Sequence, residues 1–191
     1  SHPHFHSAAT PLPRPQHANL LRILGGLAAP LAPNGLIGNP KHSWFFVDWV
    51  PGLYGFTHDA RMGTQFQYLR AYDDAAKLLT ELGDTANATP SAAVISTATA
   101  APKAAFLDPS TQTYSSTWQV NALAILGDGD SHHSAVWNSV LSHVKQDATT
   151  DQSVSPYLNA YVLDAMSATD HPQQALDWLR EIDLVIHCDR P

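Results

Sequence analysis

Aromatic rings, at two places beside carboxylates or an amide, mark three points of this 191-residue chain. The first point holds Asp48 and Trp49, with Tyr54, His58 and Asp59 just after them. The second holds Tyr114, Trp118 and Gln119, and the third is Tyr157. Flat rings can cover the apolar C–H faces of a ligand while carboxylates and amides receive its hydroxyls. Gathered on one rim, these residues have the chemistry to hold a neutral polyhydroxyl ligand. Each also has a plainer use. Trp49 and Trp118 equally suit core filling. Asp48 suits a cap or an Asx turn, and Tyr157 at a helix start suits packing. Trp137 and Trp178 fall within helical stripes and are expected in the core.

Composition narrows the classes of partner. Charged residues make up 14% of the chain, against roughly 25% in an average domain. That scarcity favours neutral ligands. The net charge of -7 leaves no basic footprint for nucleic acid. Among the acidic residues only Asp48 and Asp59 look well placed for chemistry. Asp73 and Asp74 are expected on a helix surface, and Asp128 and Asp130 in a Gly-rich turn. There is no phosphate-cradling Gly loop and no zinc-ligand spacing, so no cofactor or metal is expected. His2, His4 and His6 could suggest metal binding, but they read better as part of a mobile, Pro-broken end, and His2 and His4 lack the helical spacing that would aim both at one ion; the His132-His133 pair lies in a polar loop and is read as solvated. Cys188 is the single cysteine, which excludes an internal disulfide and leaves a weak nucleophile without a partner. No apolar run approaches the roughly 18 residues that span a bilayer, and the first residues lack a leader pattern. Asn87-Ala88-Thr89 is a glycosylation sequon of the kind that often arises by chance.

The elements that must position these residues read as helices. A stripe of Leu20, Leu21, Leu24 and Leu27 predicts a helix over 16–31, ended by Pro30 and Pro33. Residues 32–60 are expected to be long and irregular, and such loops are usually functional. Met62, Phe66, Leu69, Tyr72, Ala76, Leu79 and Leu82 then recur every three or four positions, with Gly83 as a C-cap. A second helix is expected over 90–106, with Pro90 in its first turn and Pro102 distorting it. Further helices are expected over 117–126, around 136–144, from Ser155-Pro156 onward, and over 172–182. From residue 61 these six helices would pair as three antiparallel hairpins with short links. No strand alternation is evident, so a sheet is not expected. Unequal spacing and dissimilar hairpins favour part of a toroid over a solenoid. The hairpin starts would then lie at one end, which is what gathers the rim.

The segment Phe46-Val47-Asp48-Trp49-Val50-Pro51 resembles the α-L-rhamnosidases that fold as a six-hairpin (α/α)6 barrel. The likeness extends through Gly35-Leu36-Ile37-Gly38 and through Thr64 to Tyr72. It includes Leu82-Gly83-Asp84-Thr85-Ala86, Trp118-Gln119-Val120-Asn121-Ala122 and Ser155-Pro156-Tyr157. It closes near Ala175-Leu176-Asp177-Trp178-Leu179-Arg180, and so covers roughly residues 20–181. The Asp-Trp segment together with the Trp-Gln helix start is its most specific part. The resemblance implies removal of terminal α-L-rhamnose from glycosides, with inversion at the sugar carbon. It implies that Asp48 and Trp49 line the sugar pocket, with Trp118 in the region of another pocket aromatic and Tyr157 a looser match.

The departures are equally informative. Family members carry an acidic motif with the general acid ahead of the matching region, and residues 1–19 offer no counterpart. They carry the general base as a Glu after a Trp, following the last matching helix. Here the sequence turns instead to Asp183-Leu184-Val185-Ile186-His187-Cys188-Asp189-Arg190-Pro191. Both catalytic carboxylates are therefore expected to be missing. The chain reads as an all-α protein: helical hairpins forming about half of an (α/α)6 toroid, with a long irregular N-terminal segment. Residues 1–15 would be a disordered end, 16–182 a partial glycosidase domain and 183–191 a divergent tail. The binding set is Asp48, Trp49, Trp118, Gln119 and Tyr157, and the partner a rhamnosyl glycoside. Self-association through open barrel edges is expected, since half a ring exposes apolar faces. The competing readings are a non-catalytic α-hairpin module that binds carbohydrate or protein, and another (α/α) barrel enzyme.

Overall fold

A computed structural model describes residues 14–39, 44–128, 137 and 155–188. The N-terminal histidines, the His132-His133 pair and most of the helix expected around 136–144 lie outside the described residues, as do the last three positions. Within them the chain is mostly helical. The elements are α1 (Arg14–Ala28), β1 (Phe45–Phe46), β2 (Tyr54–Gly55), α2 (His58–Glu81), α3 (Thr85–Phe106), α4 (Trp118–Asp128), α5 (Pro156–Ala168) and α6 (Pro172–Cys188). No helix among the described residues is long and apolar enough to cross a membrane.

Helix α2 starts where its cap chemistry says it should. The Thr57 hydroxyl oxygen accepts from the Ala60 amide at 3.2 Å, and Asp59 places a negative charge in the first turn. Its stop is a Schellman turn. Gly83, at φ +76°, donates its N–H to the Thr80 carbonyl, and Asp84 donates its own to Leu79. Asp84 then opens α3 at once, its carboxylate accepting from the Asn87 amide at 3.2 Å. This is why α3 begins at Thr85 and not at 90, as the position of Pro90 suggested. The sequon's Asn87 side-chain nitrogen is also bound to that carboxylate, at 2.8 and 3.1 Å. The helix runs on through Pro102 to Phe106.

Other boundaries also shift. Helix α1 begins at Arg14, inside the segment expected to be a disordered end, because Pro15 is tolerated in a first turn. It stops at Ala28, two residues before Pro30, whose ring disfavours helix in the residue ahead of it. Helix α4 includes Asp128, and α6 continues past residue 182 to Cys188, into the expected tail. The expected absence of strands is corrected by a two-stranded antiparallel ribbon pairing Phe45 with Gly55 and Phe46 with Tyr54.

The core gathers around α4. From Trp118 to Ile125 every residue is buried, and the helix packs against both α2 and α5. Phe66, Met62 and Leu69 of α2 meet Leu123, Leu158, Val162 and Met166 in one cluster, and Trp137 and Trp178 join it. The expectation that those two tryptophans are core residues is met. Trp178 Nε1 donates to buried Asn159 at 3.0 Å, and Trp137 stacks on His171 at 3.6 Å. A smaller cluster joins α1 to α2 and α3 through Leu24, Tyr72, Leu79 and Ala88. The Tyr72 hydroxyl donates to the Leu24 carbonyl there at 2.9 Å. Buried Gln65 anchors the irregular segment after α1, accepting from the Ile37 amide at 2.8 Å and donating to the Gly35 carbonyl at 2.9 Å.

One tight contact, one open glycine and one charge give tests of this packing. A Cβ on Gly127 would lie 2.4 Å from the Phe66 carbonyl oxygen, whereas one on Gly26 would meet nothing within 4 Å. Gly127→Ala is expected to lower stability by about 1–3 kcal/mol, and Gly26→Ala to raise it by about 0.5–1 kcal/mol, in urea denaturation. Equal effects would contradict the close approach of α4 to α2. Asp84 is held below the usual carboxylate range, first by the Asn87 side chain and next by His17, whose Nε2 lies 2.7 Å away. A depressed folded pKa adds stability above the ordinary carboxylate value and loses it as pH falls through the folded one. Asp84→Ser keeps a cap without the charge, so its urea midpoint should fall less steeply on acidification than that of the parent chain.

Candidate functional site

The ribbon ahead of α2 carries the site. Residues 44–47 alternate, with Phe45 and Val47 turned inward and buried, and Trp44 and Phe46 on the other face. Val47 is fully buried against Gly63, where an added Cβ would sit 2.6 Å from its methyl carbon. The inward face therefore keys the ribbon into α2. The outward face collects rings. Trp49 packs edge-on against Phe46 at 4.8 Å between centroids and lies 6.1 Å from Tyr54, which in turn lies 6.3 Å from Trp44. Trp49 is 70% exposed and Trp44 54%, so this is an open aromatic platform.

Asp48 lies beneath it, 2% exposed. One carboxylate oxygen accepts from the Trp49 amide at 2.8 Å, and the other from the Ser155 amide at 3.4 Å. Ser155 is the N-cap of α5, its hydroxyl accepting from Leu158 at 3.2 Å. A carboxylate is favoured there by the partial positive charge of the helix start. Asp48 thus fastens the platform to α5. A second link joins α2 to the segment before α4. The Ser115 hydroxyl donates to Asp59 at 3.0 Å, and Asn121 holds that segment by donating to the Ser115 and Thr117 carbonyls at 2.6 and 2.8 Å.

The five residues singled out from sequence have different fates. Trp49 and Tyr157 reach the surface. Asp48, Trp118 and Gln119 are buried, the last two within α4 at the heart of the core. Gln119 is 1% exposed, and its Nε2 has no hydrogen-bond partner among the described residues. Tyr157 faces a separate cleft of about 420 Å³ between α2 and α5. Its hydroxyl lies 2.9 Å from that of Tyr161. That neighbour, with partial burial, pushes the Tyr157 phenol up to about 12. Across the cleft Arg70 reaches Asp164 at 3.1 Å and Asp74 at 3.8 Å, with its guanidinium 5.6 Å from the Tyr161 ring centre.

Sequence reasoning passed over Trp44, Phe46 and this cleft. The i,i+4 spacings Tyr157/Tyr161 and Arg70/Asp74 were the available signals. No group of three or more His, Cys, Asp or Glu among the described residues is arranged to hold a metal ion. No protein-family model matches this chain, and no curated protein matches it.

The two roles at the platform separate by mutation. Asp48→Ala leaves the Trp49 and Ser155 amides without their acceptor and is expected to cost about 1–3 kcal/mol in chemical denaturation. Trp49→Ala removes an exposed ring and should stay within about 0.5 kcal/mol of the parent. If Trp49→Ala were the more damaging change, the platform would be part of the core.

Proposed function

We propose that this chain is part of an α-L-rhamnosidase-like glycoside hydrolase, contributing about half of an (α/α)6 barrel, and that alone it binds rhamnosyl glycosides without cleaving them. The observation that carries this reading is the exposed platform of Trp44, Phe46, Trp49 and Tyr54 above a buried Asp48. Rings of this kind stack on the apolar face of a deoxy sugar, whose methyl group adds apolar area. The barrel reading draws support from the tight turns between α2 and α3 and between α5 and α6, which suit consecutive helical hairpins.

Hydrolysis with inversion needs two carboxyl groups roughly 6.5–9.5 Å apart across the bond. Asp48 has both oxygens engaged by backbone amides, and Asp59 is hydrogen-bonded to Ser115. Neither is poised as a free acid or base. In the complete enzyme the acid and base would come from residues beyond this chain, and Asp48 would orient the sugar platform. The non-catalytic binding module remains the second reading, because an open platform can hold sugar by itself.

The test is a titration with methyl α-L-rhamnoside, followed by the indole NMR signals of Trp44 and Trp49, alongside a hydrolysis assay with p-nitrophenyl α-L-rhamnoside. Binding at millimolar affinity is expected, weakened about threefold to tenfold in Trp49→Ala, with no hydrolysis. Unmoved indole signals at saturating rhamnoside would refute sugar binding at the platform. Turnover by the chain alone would refute the loss of the catalytic pair.

A further inference from the structure

The cleft between α2 and α5 combines groups that no single surface helix would assemble. Helix α2 contributes Gln67, Arg70 and Asp74, and α5 contributes Tyr157, Tyr161 and Asp164. Ala71 and Ala160 are the small residues that leave the space open. A volume of about 420 Å³ is within the range of small-ligand pockets and suits one or two sugar rings.

Its electrostatics select the ligand class. Arg70 is tied by Nη2 to Asp164 and by Nε to Asp74, and its remaining Nη1 is buried with no hydrogen-bond partner among the described residues. That nitrogen is closed off from solvent, so a ligand in the cleft would meet Arg70 at the accessible part of its side chain, beside the two carboxylates. Each aspartate has one oxygen engaged with Arg70, and each side chain is more than half exposed. An anionic ligand would meet two carboxylates. A cationic one would meet a guanidinium already seated by the Tyr161 ring. A neutral molecule rich in hydroxyls can use both sets, donating to the aspartates and to Gln67 while accepting from Arg70. The faces of Tyr157 and Tyr161, set at 69° to each other, supply the apolar wall such a ligand needs.

We propose that this cleft is a second binding site, distinct from the ribbon platform, for a neutral monosaccharide or similar polyol. It shares Tyr157 with the binding set expected from sequence, but its ion-pairing groups and its cavity are separate from the ribbon platform on which the glycosidase reading rests.

The experiment uses the full chain with alanine methyls labelled, titrated separately with methyl α-D-glucoside, methyl α-L-rhamnoside, D-glucuronate and D-glucosamine. The methyl signals of Ala71 and Ala160 report the cleft, and the indole signals of Trp44 and Trp49 report the platform. At least one neutral glycoside should shift both alanine signals at millimolar concentration, D-glucuronate should bind about fivefold more weakly or worse, and D-glucosamine no more tightly than the neutral glycoside. Tyr157→Ala, a change at a side chain 56% exposed and so compatible with folding, should weaken the neutral sugar at least about fivefold. Silent Ala71 and Ala160 signals with both neutral glycosides would overturn the assignment. So would tighter binding of either charged sugar, or binding unchanged by Tyr157→Ala.

Discussion

A helix with no free side sets the terms for the rest of this molecule. Eight successive residues of α4, Trp118 to Ile125, are buried, so the helix has to be enclosed by neighbours on all faces. Helices α2 and α5 supply two of those faces, and Gly127 lets the α2 backbone at Phe66 come within reach. The polar residues inside α4 make the constraint sharper. Asn121 is fully buried and is satisfied by the Tyr114–Thr117 stretch, accepting from the Tyr114 amide at 3.1 Å. Burying the helix therefore also folds the segment that precedes it. That segment carries Ser115, which reaches Asp59 at the start of α2. The proximity of these starts follows from enclosing one apolar helix, without any separate device.

The platform depends on the same enclosure through Val47. Its side chain fills the space left by Gly63, near Leu123 of α4, so the ribbon's inner face is part of the core. The outer face then has little freedom. Asp48 adds a polar lock to the α5 start, and the backbone at the tip closes with the Val47 amide donating to the Leu53 carbonyl at 2.9 Å. Exposed rings held in this way lose little entropy when a ligand stacks on them, because the ordering has already occurred during folding. An exposed aromatic cluster on a mobile loop would lack that advantage.

Much of this was legible in the sequence, and the gaps have physical causes. The stripe of α2, the Gly83 stop and the Ser155-Pro156 start are local signals, and the structure follows them. The ribbon was hidden because Trp44, Phe46, Phe45 and Val47 are all apolar, so inward and outward positions carry the same hydropathy. The start of α3 was misplaced because Asp84 both follows the stop of α2 and caps the next helix, leaving no loop to read. Trp49 and Trp118 could not be told apart by residue type. One follows an aspartate whose carboxylate turns inward and leaves the ring outside, and the other opens a helix buried all round. That difference is tertiary. So is the cleft: Arg70 with Asp74, and Tyr157 with Tyr161, look like ordinary surface pairs until packing on α4 brings α2 and α5 to the two sides of one cleft.

Platform and cleft call on opposite parts of a ligand's chemistry. The platform offers ring area and almost no polar side chain, so its affinity would come from apolar surface removed from water, scaling with the ligand's C–H and methyl content. The cleft offers donors and acceptors, but Arg70 already engages two carboxylates, and a ligand must compete with those internal partners. Exposed ion pairs of this kind are worth little, so the competition is not prohibitive. What decides it is the number of hydroxyls that find both a donor and an acceptor. A glycoside with an apolar group on one end and a polyol on the other matches both surfaces chemically. Asp48 fastens the platform to the N-terminal turn of α5, the helix that also carries Tyr157 and Tyr161. The platform and the helix that walls the cleft thus share one direct polar contact and one hydrophobic core.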